Sequence, residues 1–186
     1  MTMPREKMKL GVDKSTPICY NNSTKGKELM TMLKMICFDM DGTIADLYGV
    51  DGWLEKLRAY DASPYIEAKP MCDMAELADL LHIAQHRGIE IRIITWLSKE
   101  STDEYDELVR MFKRIWLGTM DFPYDHFHGV QYGATKADSI RKYLGEDETA
   151  ILFDDNAKVR KGWHMGEAID PNEYDICAKL REILGL

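Results

Sequence analysis

The sequence predicts an α/β fold in which a parallel sheet is covered by helices on both faces. Two observations support this fold class. Short apolar and β-branched segments alternate along the chain with segments whose apolar residues recur at helical spacing. Hydrophobic residues make up 45% of the 186 positions, which is sufficient for the buried core that such a sheet requires.

The alternation begins at Met35. Strands are predicted at 35–39, which is apolar, at 89–95, which is β-branched, and at 126–132, 149–155 and 166–170. Helices are predicted at 72–88, which ends in a glycine, at 101–118, which opens with a Ser-Thr-Asp capping signal, at 135–145, and from Glu173 to the C-terminus. The apolar face of the helix at 101–118 is expected to contain Tyr105, Leu108, Val109, Phe112, Ile115 and Trp116.

The first 33 residues differ in composition from the rest of the chain. They are polar and rich in lysine and turn formers, which indicates an N-terminal extension. This extension is either a tail or a segment that docks on the domain or on a neighbouring copy. Residues 34–186 are interpreted as the domain proper, with a small cap inserted at about 47–72.

The charge balance limits the class of partner. The net charge of −8 and the pI of about 5.2 disfavour non-specific binding to nucleic acid or to acidic membranes. No apolar run approaches the length of a membrane span, and the four cysteines lack metal-ligand spacing. These features predict a cytoplasmic protein with reduced thiols, and they leave its oligomeric state open.

Polar side chains from distant parts of the chain are expected to converge at one edge of the sheet. In parallel sheets, ligands bind beyond the carboxyl ends of the strands. The residues that the sequence places there are Asp39, Asp41, Thr95, Lys136, Asp154 and Asp155.

Acidic residues this close together repel one another unless a cation lies among them. Oxygen ligands and a phosphate substrate favour Mg²⁺, which we therefore predict as the cofactor. With the charge compensated, Asp39 can attack phosphorus and form an aspartyl-phosphate, while Asp41 protonates the leaving oxygen and later activates water. Thr95 and Lys136 would bind the phosphoryl oxygens, and Gly42 would let the chain turn sharply beneath them.

These residues resemble, in their order, the four motifs of the phosphatases of the haloacid dehalogenase superfamily. The motifs are DMDGT after an apolar strand, Thr95 after IRII, Lys136 in GATKADSI, and Asp154-Asp155 in ILFDD. The resemblance spans Met35 to about Gly162. It implies a three-layer, Rossmann-like fold with a small helical cap.

The resemblance also implies roles for the acidic residues. Asp39 would be the nucleophile and Asp41 the general acid/base. Mg²⁺ would be held by Asp39, the backbone carbonyl of Asp41 and Asp154, with Asp155 as a second or water-mediated ligand.

The substrate is predicted to be a nucleotide or another small phosphorylated metabolite. The stretch DMDGTIADLYG is similar to the start of deoxyribonucleotidases, with Thr43-Ile44 in place of Val-Leu. Candidate pocket residues are Asp46, Trp53, Trp96, Ser98 and Lys99. In the cap, aromatic residues could stack a base and cations could meet a second anionic group; these are Tyr48, Trp53, Tyr60 and Tyr65, and Lys56, Arg58 and Lys69.

Plainer interpretations stay open for some of these residues. Asp46 could be a helix cap, and Trp53 could be simple packing. The cations Lys158, Arg160 and Lys161 are expected to form a solvated face beside the acidic residues.

Three other functions are weighed against a small-molecule phosphatase. A polynucleotide 3′-phosphatase fits the small cap, but the net charge of −8 counts against strand binding. A non-catalytic, phosphate-binding relative is disfavoured by the intact acidic set. A receiver-type signalling domain is disfavoured because Lys136 precedes Asp154 here, whereas the lysine comes last in a receiver.

Overall fold

The computed structural model describes residues 19–24 and 27–186. The described strands are β1 (Cys19–Thr24), β2 (Lys27–Phe38), β3 (Ala45–Asp46), β4 (Lys69–Pro70), β5 (Glu90–Trp96), β6 (His126–Val130), β7 (Glu148–Phe153) and β8 (Ala168–Ile169). The main sheet has the order β6-β5-β2-β7-β8 with all neighbours parallel, and β1 pairs antiparallel with residues 27–32 of β2. Strands β3 and β4 pair antiparallel outside this sheet.

Helices connect the strands and cover the sheet. The described helices are α1 (Trp53–Arg58), α2 (Pro64–Glu67), α3 (Met74–His86), α4 (Asp103–Thr119), α5 (Lys136–Ile140), α6 (Ala157–Lys161) and α7 (Ile176–Leu184), with a 3₁₀ turn at Arg141–Tyr143. Each strand and helix predicted from Met35 onward is present close to its expected position. The Rossmann-like α/β fold class is therefore confirmed.

Side chains alternate between the two faces of the sheet along β2. Ile36 and Phe38 join a large apolar cluster with α3, α4 and α7, whereas Met35 and Cys37 join a smaller cluster with α5. Phe38 also stacks on Phe153 of β7, with ring centroids 4.9 Å apart. Both faces are thus buried, which explains why this strand is a continuous apolar run rather than an alternating one.

Helix α4 packs inward with the expected face, except at Ile115. Ile115, predicted to lie on the apolar face, is 46% exposed, so that part of the prediction is wrong. The buried residues of α4 are Tyr105, Asp106, Val109, Lys113, Trp116 and Leu117. Their spacing of three and four residues defines the face that packs on the sheet, and a lysine occupies one of its core positions. The capping signal is confirmed, since the Thr102 hydroxyl accepts the Tyr105 N–H at 3.2 Å.

The segment between β2 and α3 forms the small cap. It contains α1 and α2, with the β3–β4 pair at its base. Leu57 and Tyr65 of the cap pack against Leu97 and Val109 in a third apolar cluster. The Trp116 Nε1–H of α4 donates to the carbonyl of Ala68 at 2.8 Å. These contacts seat the cap on α4, beside the carboxyl ends of the strands.

The N-terminal extension is partly strand. Strand β2 begins at Lys27, eight positions before the predicted start at Met35, and continues the hairpin with β1. Residues 1–18 lie outside the described part of the chain, so a docking role for them stays a prediction. In the described part, no helix is both long enough and apolar enough to cross a bilayer.

Candidate active site

Strand β2 delivers Asp39 to the carboxyl edge of the sheet. The Asp39 N–H donates to the carbonyl of Phe153 at 2.9 Å, which ties the strand end to β7. The Asp39 Oδ1 accepts the N–H of Met40 at 2.7 Å. One carboxylate oxygen is therefore fixed by the backbone, and the side chain is 6% exposed.

The chain turns sharply after Asp39, as the sequence predicted from Gly42. The Met40 carbonyl accepts three backbone N–H groups, from Thr43, Ile44 and Ala45. Gly42 has a φ of 78°, and a Cβ atom there would lie 2.6 Å from Asp155 Oδ2. The positive φ and the close approach of the Asp155 and Tyr48 side chains therefore both favour glycine. The turn places Gly42, in the loop after β2, against Asp155, which follows β7.

The second acidic pair is held by its backbone. The Asp155 N–H donates to the Thr43 hydroxyl at 3.2 Å. The Arg160 guanidinium donates to the carbonyl of Asp154 at 2.8 Å and to that of Asp155 at 2.6 Å, and it pairs with Asp170. The prediction of a solvated face is therefore wrong for Arg160, whose side chain is 18% exposed. Asn156 caps α6 by accepting the N–H groups of Lys158 and Val159.

Lys136 links the two acidic segments. Its ammonium lies 2.8 Å from Asp39 Oδ2 and 2.8 Å from Asp154 Oδ2, and the lysine is 1% exposed. Burial works against the charged amine, but the two carboxylates outweigh it and raise the pKa of Lys136. The sequence predicted that a metal ion balances the repulsion among the acidic residues. Lys136 already balances part of that repulsion.

Three carboxylates still lie together beside this lysine. Oxygen atoms of Asp39, Asp154 and Asp155 are all within 4.8 Å of one another. Burial first, and then the charge of Asp39, raise the pKa of Asp154 and of Asp155 to about 6. The site is therefore short of positive charge even with Lys136 in place. Its oxygen-only donor set suits a hard divalent cation such as Mg²⁺.

The Asp41 carboxylate points away from this cluster. It pairs with Lys113 of α4, whose Nζ lies 2.5 Å from Asp41 Oδ2. The same ammonium donates to Thr95 Oγ1 at 2.7 Å and to the carbonyl of Trp96 at 3.0 Å. Lys113 is fully buried, and its Nζ lies 4.7 Å from the ring centroid of Tyr65.

Sequence reasoning missed Lys113. The signal was its place three and four residues from Trp116 and Val109, on the face of α4 that packs inward. A charged residue at a core position of an amphipathic helix needs a buried partner, and the acidic residues of the DMDGT motif were available. Arg160 was predicted to be solvated, because two of its partners are backbone carbonyls, which a sequence does not mark, and the third, Asp170, follows ten residues later.

A cavity of about 220 Å³ opens on Asp39 and Asp41. Its aromatic lining comes from Tyr48, Trp53, Tyr65, Trp96 and Tyr132. Its apolar lining comes from Leu47, Leu54, Leu57 and Leu97, and its further polar lining from Arg58, Ser98, Lys99 and Glu100. The cavity thus has an acidic floor, mostly aromatic and aliphatic walls, and two cations.

Most of the predicted pocket residues line this cavity, namely Trp53, Trp96, Ser98 and Lys99. Asp46 does not, because its carboxylate accepts the Gly49 N–H at 2.9 Å in a local turn. In the described chain, Tyr132 is a lining residue that sequence reasoning missed. It packs against Trp96 at 5.2 Å between ring centroids, and the Trp96 Nε1–H donates to the carbonyl of Ala134 at 2.9 Å.

Three other cap residues proposed for substrate contacts lie elsewhere. Tyr60 packs against Tyr105, with ring centroids 5.2 Å apart. Lys56 pairs with Glu67 at 2.8 Å. Lys69 belongs to β4 and is exposed. Of the proposed cap cations, Arg58 lines the cavity.

The fold and the site together describe an α/β protein whose parallel sheet carries aspartate, lysine and threonine side chains at the carboxyl ends of its strands. No family model and no curated protein sequence matches the chain. It is similar to a chain in a structure of a Pnkp1/Rnl/Hen1 complex, with a TM-score of 0.53 and 15% identity, over 91% of this chain and 57% of that one. It is also similar to a chain of the Pnkp1/Rnl/Hen1 RNA repair complex, with a TM-score of 0.52 and 17% identity, over 78% of this chain and 46% of that one.

This chain therefore spans about half the length of those two proteins. A third similar structure is D,D-heptose 1,7-bisphosphate phosphatase from Burkholderia thailandensis, with a TM-score of 0.49 and 12% identity, over 82% of this chain and 99% of that one. At identities of 15% and 17%, the first two likenesses show a shared fold.

Proposed function

We propose that this protein is a Mg²⁺-dependent phosphomonoesterase that works through an aspartyl-phosphate on Asp39. One observation carries the proposal. The Asp39 carboxylate lies at the floor of an aromatic-lined cavity, where it belongs to a three-carboxylate cluster and pairs with a buried lysine. A small organic phosphate fits this combination, because its organic part would occupy the cavity and its phosphate the charged floor.

In the first step, an oxygen of Asp39 attacks phosphorus. The bond from phosphorus to the ester oxygen breaks, and the proton of Asp41 passes to that oxygen to give the free alcohol. Asp39 then carries the phosphoryl group as an acyl phosphate, and Asp41 is a carboxylate. The two groups lie on the same cavity floor, as this transfer requires.

In the second step, water attacks the phosphoryl group. Asp41 takes a proton from the water, whose oxygen forms the new bond to phosphorus. The bond from phosphorus to Asp39 breaks, which releases inorganic phosphate and restores the Asp39 carboxylate. Asp41 is again protonated, so the cycle closes with one water consumed for each ester.

Mg²⁺ would be held by Asp39, Asp154 and Asp155, together with the backbone carbonyl of Asp41. Its chemistry would be to balance the charge of the carboxylates and of the incoming phosphate. With Asp41 protonated as the general acid, the three carboxylates of Asp39, Asp154 and Asp155 and an incoming phosphate dianion exceed the charge of the two buried ammonium groups. A divalent cation would offset most of this excess negative charge. Lys136 and Thr95 would bind phosphoryl oxygens at the same edge of the sheet.

The cavity favours a substrate whose organic part is flat and aromatic, and a nucleotide is the proposed class. Tyr48, Trp53 and Trp96 offer ring faces and edges, and stacking on such rings contributes about 1–3 kcal/mol per base. Arg58 and Lys99 at the same cavity could meet a second anionic group. A nucleoside monophosphate combines these features in one molecule.

The test begins with hydrolysis of p-nitrophenyl phosphate with Mg²⁺ and with excess chelator. We expect turnover that the chelator abolishes, and an Asp39→Asn variant that is inactive although folded. Asp79→Asn, an exposed carboxylate of α3, is the matched control and should keep full activity. An active Asp39→Asn variant would remove the nucleophile from the proposal.

A substrate panel then decides the class. It contains nucleoside 5′- and 3′-monophosphates, sugar phosphates and 3′-phosphorylated oligonucleotides. We expect the highest kcat/KM on a nucleoside monophosphate. A preference for sugar phosphates would show that the aromatic lining does not select the substrate.

A polynucleotide 3′-phosphatase is the second candidate. The small cap leaves the site accessible to a strand end, and two structures of similar fold are of Pnkp1/Rnl/Hen1 complexes, one of which is named an RNA repair complex. The net charge of −8 opposes it, since strand binding usually needs a basic groove. A preference for the 3′-phosphorylated oligonucleotide, with a steep decrease in rate as salt rises, would favour this candidate.

A further inference from the structure

Lys113 is a cation of the site that lies outside the four sequence motifs. It comes from the middle of α4, a helix that follows β5 and packs under the cap. The side chain is fully buried, although a lysine is among the residues least often found there. A buried ammonium group needs hydrogen-bond acceptors to compensate for the loss of water. The identity of those acceptors indicates the role of Lys113.

All three N–H groups of the Lys113 ammonium have an acceptor. These are Asp41 Oδ2 at 2.5 Å, Thr95 Oγ1 at 2.7 Å and the Trp96 carbonyl at 3.0 Å. The Tyr65 ring covers the ammonium at 4.7 Å. A lysine whose donors are all used in this way is held in one position, and so are its partners.

The contact with Thr95 sets the direction of its hydroxyl proton. Because Lys113 donates to Thr95 Oγ1, the hydroxyl hydrogen must point elsewhere. Its other contact, with the Trp96 carbonyl, is 3.5 Å long and therefore weak. The hydroxyl proton of the fully buried Thr95 thus has no strong acceptor among the described residues, which leaves it to donate to a phosphoryl oxygen bound at the end of β5.

The contact with Asp41 fixes the carboxylate. Asp41 lines the cavity floor beside Asp39, and one of its oxygens is held by Lys113. The other oxygen remains for proton transfer with the leaving group or with water. Without the ammonium, the side chain of Asp41 could rotate away from the ester oxygen, and general acid catalysis depends on that geometry.

We propose that Lys113 is a positioning residue for this reaction, which orients the Asp41 carboxylate for proton transfer and the Thr95 hydroxyl for phosphoryl binding. This inference rests on the proposed phosphatase function. It assigns Lys113 a role through Asp41 and Thr95, without contact with the substrate. A role through Asp41 predicts a loss of rate that depends on the leaving group, because a more basic leaving group needs the proton more. A purely structural role predicts the same loss with every leaving group.

The test uses three aryl and benzyl esters that place a similar ring in the aromatic cavity. They are p-nitrophenyl, phenyl and benzyl phosphate, whose leaving groups become progressively more basic. p-Nitrophenolate leaves as a stable anion, whereas benzyl alkoxide needs a proton as the bond breaks. Single-turnover rates with enzyme in excess isolate this first step from hydrolysis of the acyl phosphate.

We expect Lys113→Met to lower the single-turnover rate on benzyl phosphate about 100-fold, because general acid catalysis typically contributes that much or more. The rate on p-nitrophenyl phosphate should fall far less, and KM should change little for either ester. Asp41→Asn should give the same dependence on leaving group. In the double variant the benzyl phosphate rate should fall below that of Asp41→Asn only by the small factor that Lys113→Met costs on p-nitrophenyl phosphate, because that factor reports on Thr95 and the rest of the loss is shared with Asp41.

The control is Arg114→Met, which removes an exposed cation from the next position of α4. Its rates should match the wild type on all three esters. Should Lys113→Met fail to fold by circular dichroism, Lys113→Gln replaces it. The same result is expected, since the shorter amide cannot reach all three acceptors.

The outcomes separate the inference from the function on which it rests. Equal loss on all three esters, or full activity on benzyl phosphate, would overturn the role of Lys113 and leave the phosphatase function standing. Additive losses in the double variant would also overturn it. A wild-type protein that hydrolyses none of the esters would overturn both proposals.

Discussion

At the scale of single residues, each buried cation in the part of the chain whose side chains are described is matched by a specific acceptor. Lys136 lies between Asp39 and Asp154, and Lys113 beside Asp41. A third buried cation, Arg92 of β5, lies away from these carboxylates and is 3% exposed. Its guanidinium pairs with Glu90 at 2.6 Å, and the removal of a partner from such a pair is costly because a buried charge remains.

Arg92 imposes a protonation state on His128. The Nη1 of Arg92 lies 3.1 Å from His128 Nε2, and a guanidinium can only donate, so Nε2 must be the unprotonated acceptor. Burial first, and then the charges of Arg92, His126 and Lys142, lower the pKa of His128 to about 4. The imidazole is therefore neutral in the folded protein at pH 5, where in an unfolded chain it would be mostly protonated.

The first prediction concerns acid stability. Because the folded pKa of His128 is lower than the unfolded one, its contribution to stability is present above about pH 6.5 and lost as pH falls towards about 4. We expect His128→Gln to remove about 1 kcal/mol of the decrease in unfolding free energy over this range, since solvent partly screens a half-buried imidazole. Urea denaturation at pH 7 and at pH 4.5 measures the effect.

The matched control is His82→Gln, which changes an exposed histidine of α3. Its stability should follow the same pH dependence as the wild type. If His128→Gln loses as much stability on acidification as the wild type, the imidazole is not the group that titrates.

At the scale of elements, the start of α4 fastens two loops that line the cavity. Asp106 is 2% exposed, and its Oδ2 accepts from the Ser101 hydroxyl at 2.8 Å and from Gln131 Nε2 at 2.6 Å. Ser101 ends the loop that contributes Ser98 and Lys99 to the cavity, and Gln131 precedes the lining residue Tyr132. One buried carboxylate thus joins the loops after β5 and β6.

The second prediction is that Asp106→Ala weakens substrate binding more than it changes the chemical step. The loops lose their shared anchor, so KM for the best substrate of the panel should rise several-fold, while kcat should change less than twofold. The loss of stability should be modest, because Asp106 Oδ1 has no hydrogen-bond partner among the described residues and its burial already costs free energy.

Asp103→Ala is the control, because Asp103 is exposed in the same first turn of α4. It removes a comparable negative charge near the helix N-terminus without touching either loop. An Asp106→Ala variant with an unchanged KM and a reduced kcat would contradict the anchoring role.

At the scale of the whole molecule, much of the architecture could be predicted because the sheet is parallel and buried on both faces. Strands such as Met35–Phe38 must then be continuous apolar runs, and the rule that ligands bind at strand ends selects Asp39 and Asp154. The carboxylate oxygens of these two residues do lie in one cluster with those of Asp155. Gly42 was also predictable, because a sharp turn after a strand favours glycine, and its φ is 78°.

The other residues of the site could not be predicted, because their positions depend on contacts between elements that are distant in the sequence. Lys113 is buried only because Asp41 and Thr95 come to it from other elements. Ile115 is exposed because it lies about 200° around α4 from Lys113, which faces inward. Tyr132 follows β6 and lines the cavity, where its ring packs against that of Trp96 at the end of β5.

The last prediction concerns the stability of the whole fold. It follows from the deficit of positive charge among the carboxylates after β2 and β7. Burial and the neighbouring charge of Asp39 raise the pKa of Asp154 and Asp155 to about 6, so without an ion their ionisation opposes folding as pH rises from about 4 through 6. A cation that binds the folded state alone stabilises it by about 2.7 kcal/mol at 100 times its Kd. We therefore expect Mg²⁺ at pH 7.5 to raise the Tm by several degrees.

Asp154→Asn should abolish this Mg²⁺-dependent shift while leaving the Tm without metal equal to or above that of the wild type. The amide removes a carboxylate from the repelling cluster, but it also removes a ligand that the ion requires. Asp79→Asn, on the exposed side of α3, should keep the full shift. A Tm that rises equally with Mg²⁺ in all three proteins would mean that the ion acts through general ionic strength, and that the carboxylates after β2 and β7 do not form its site.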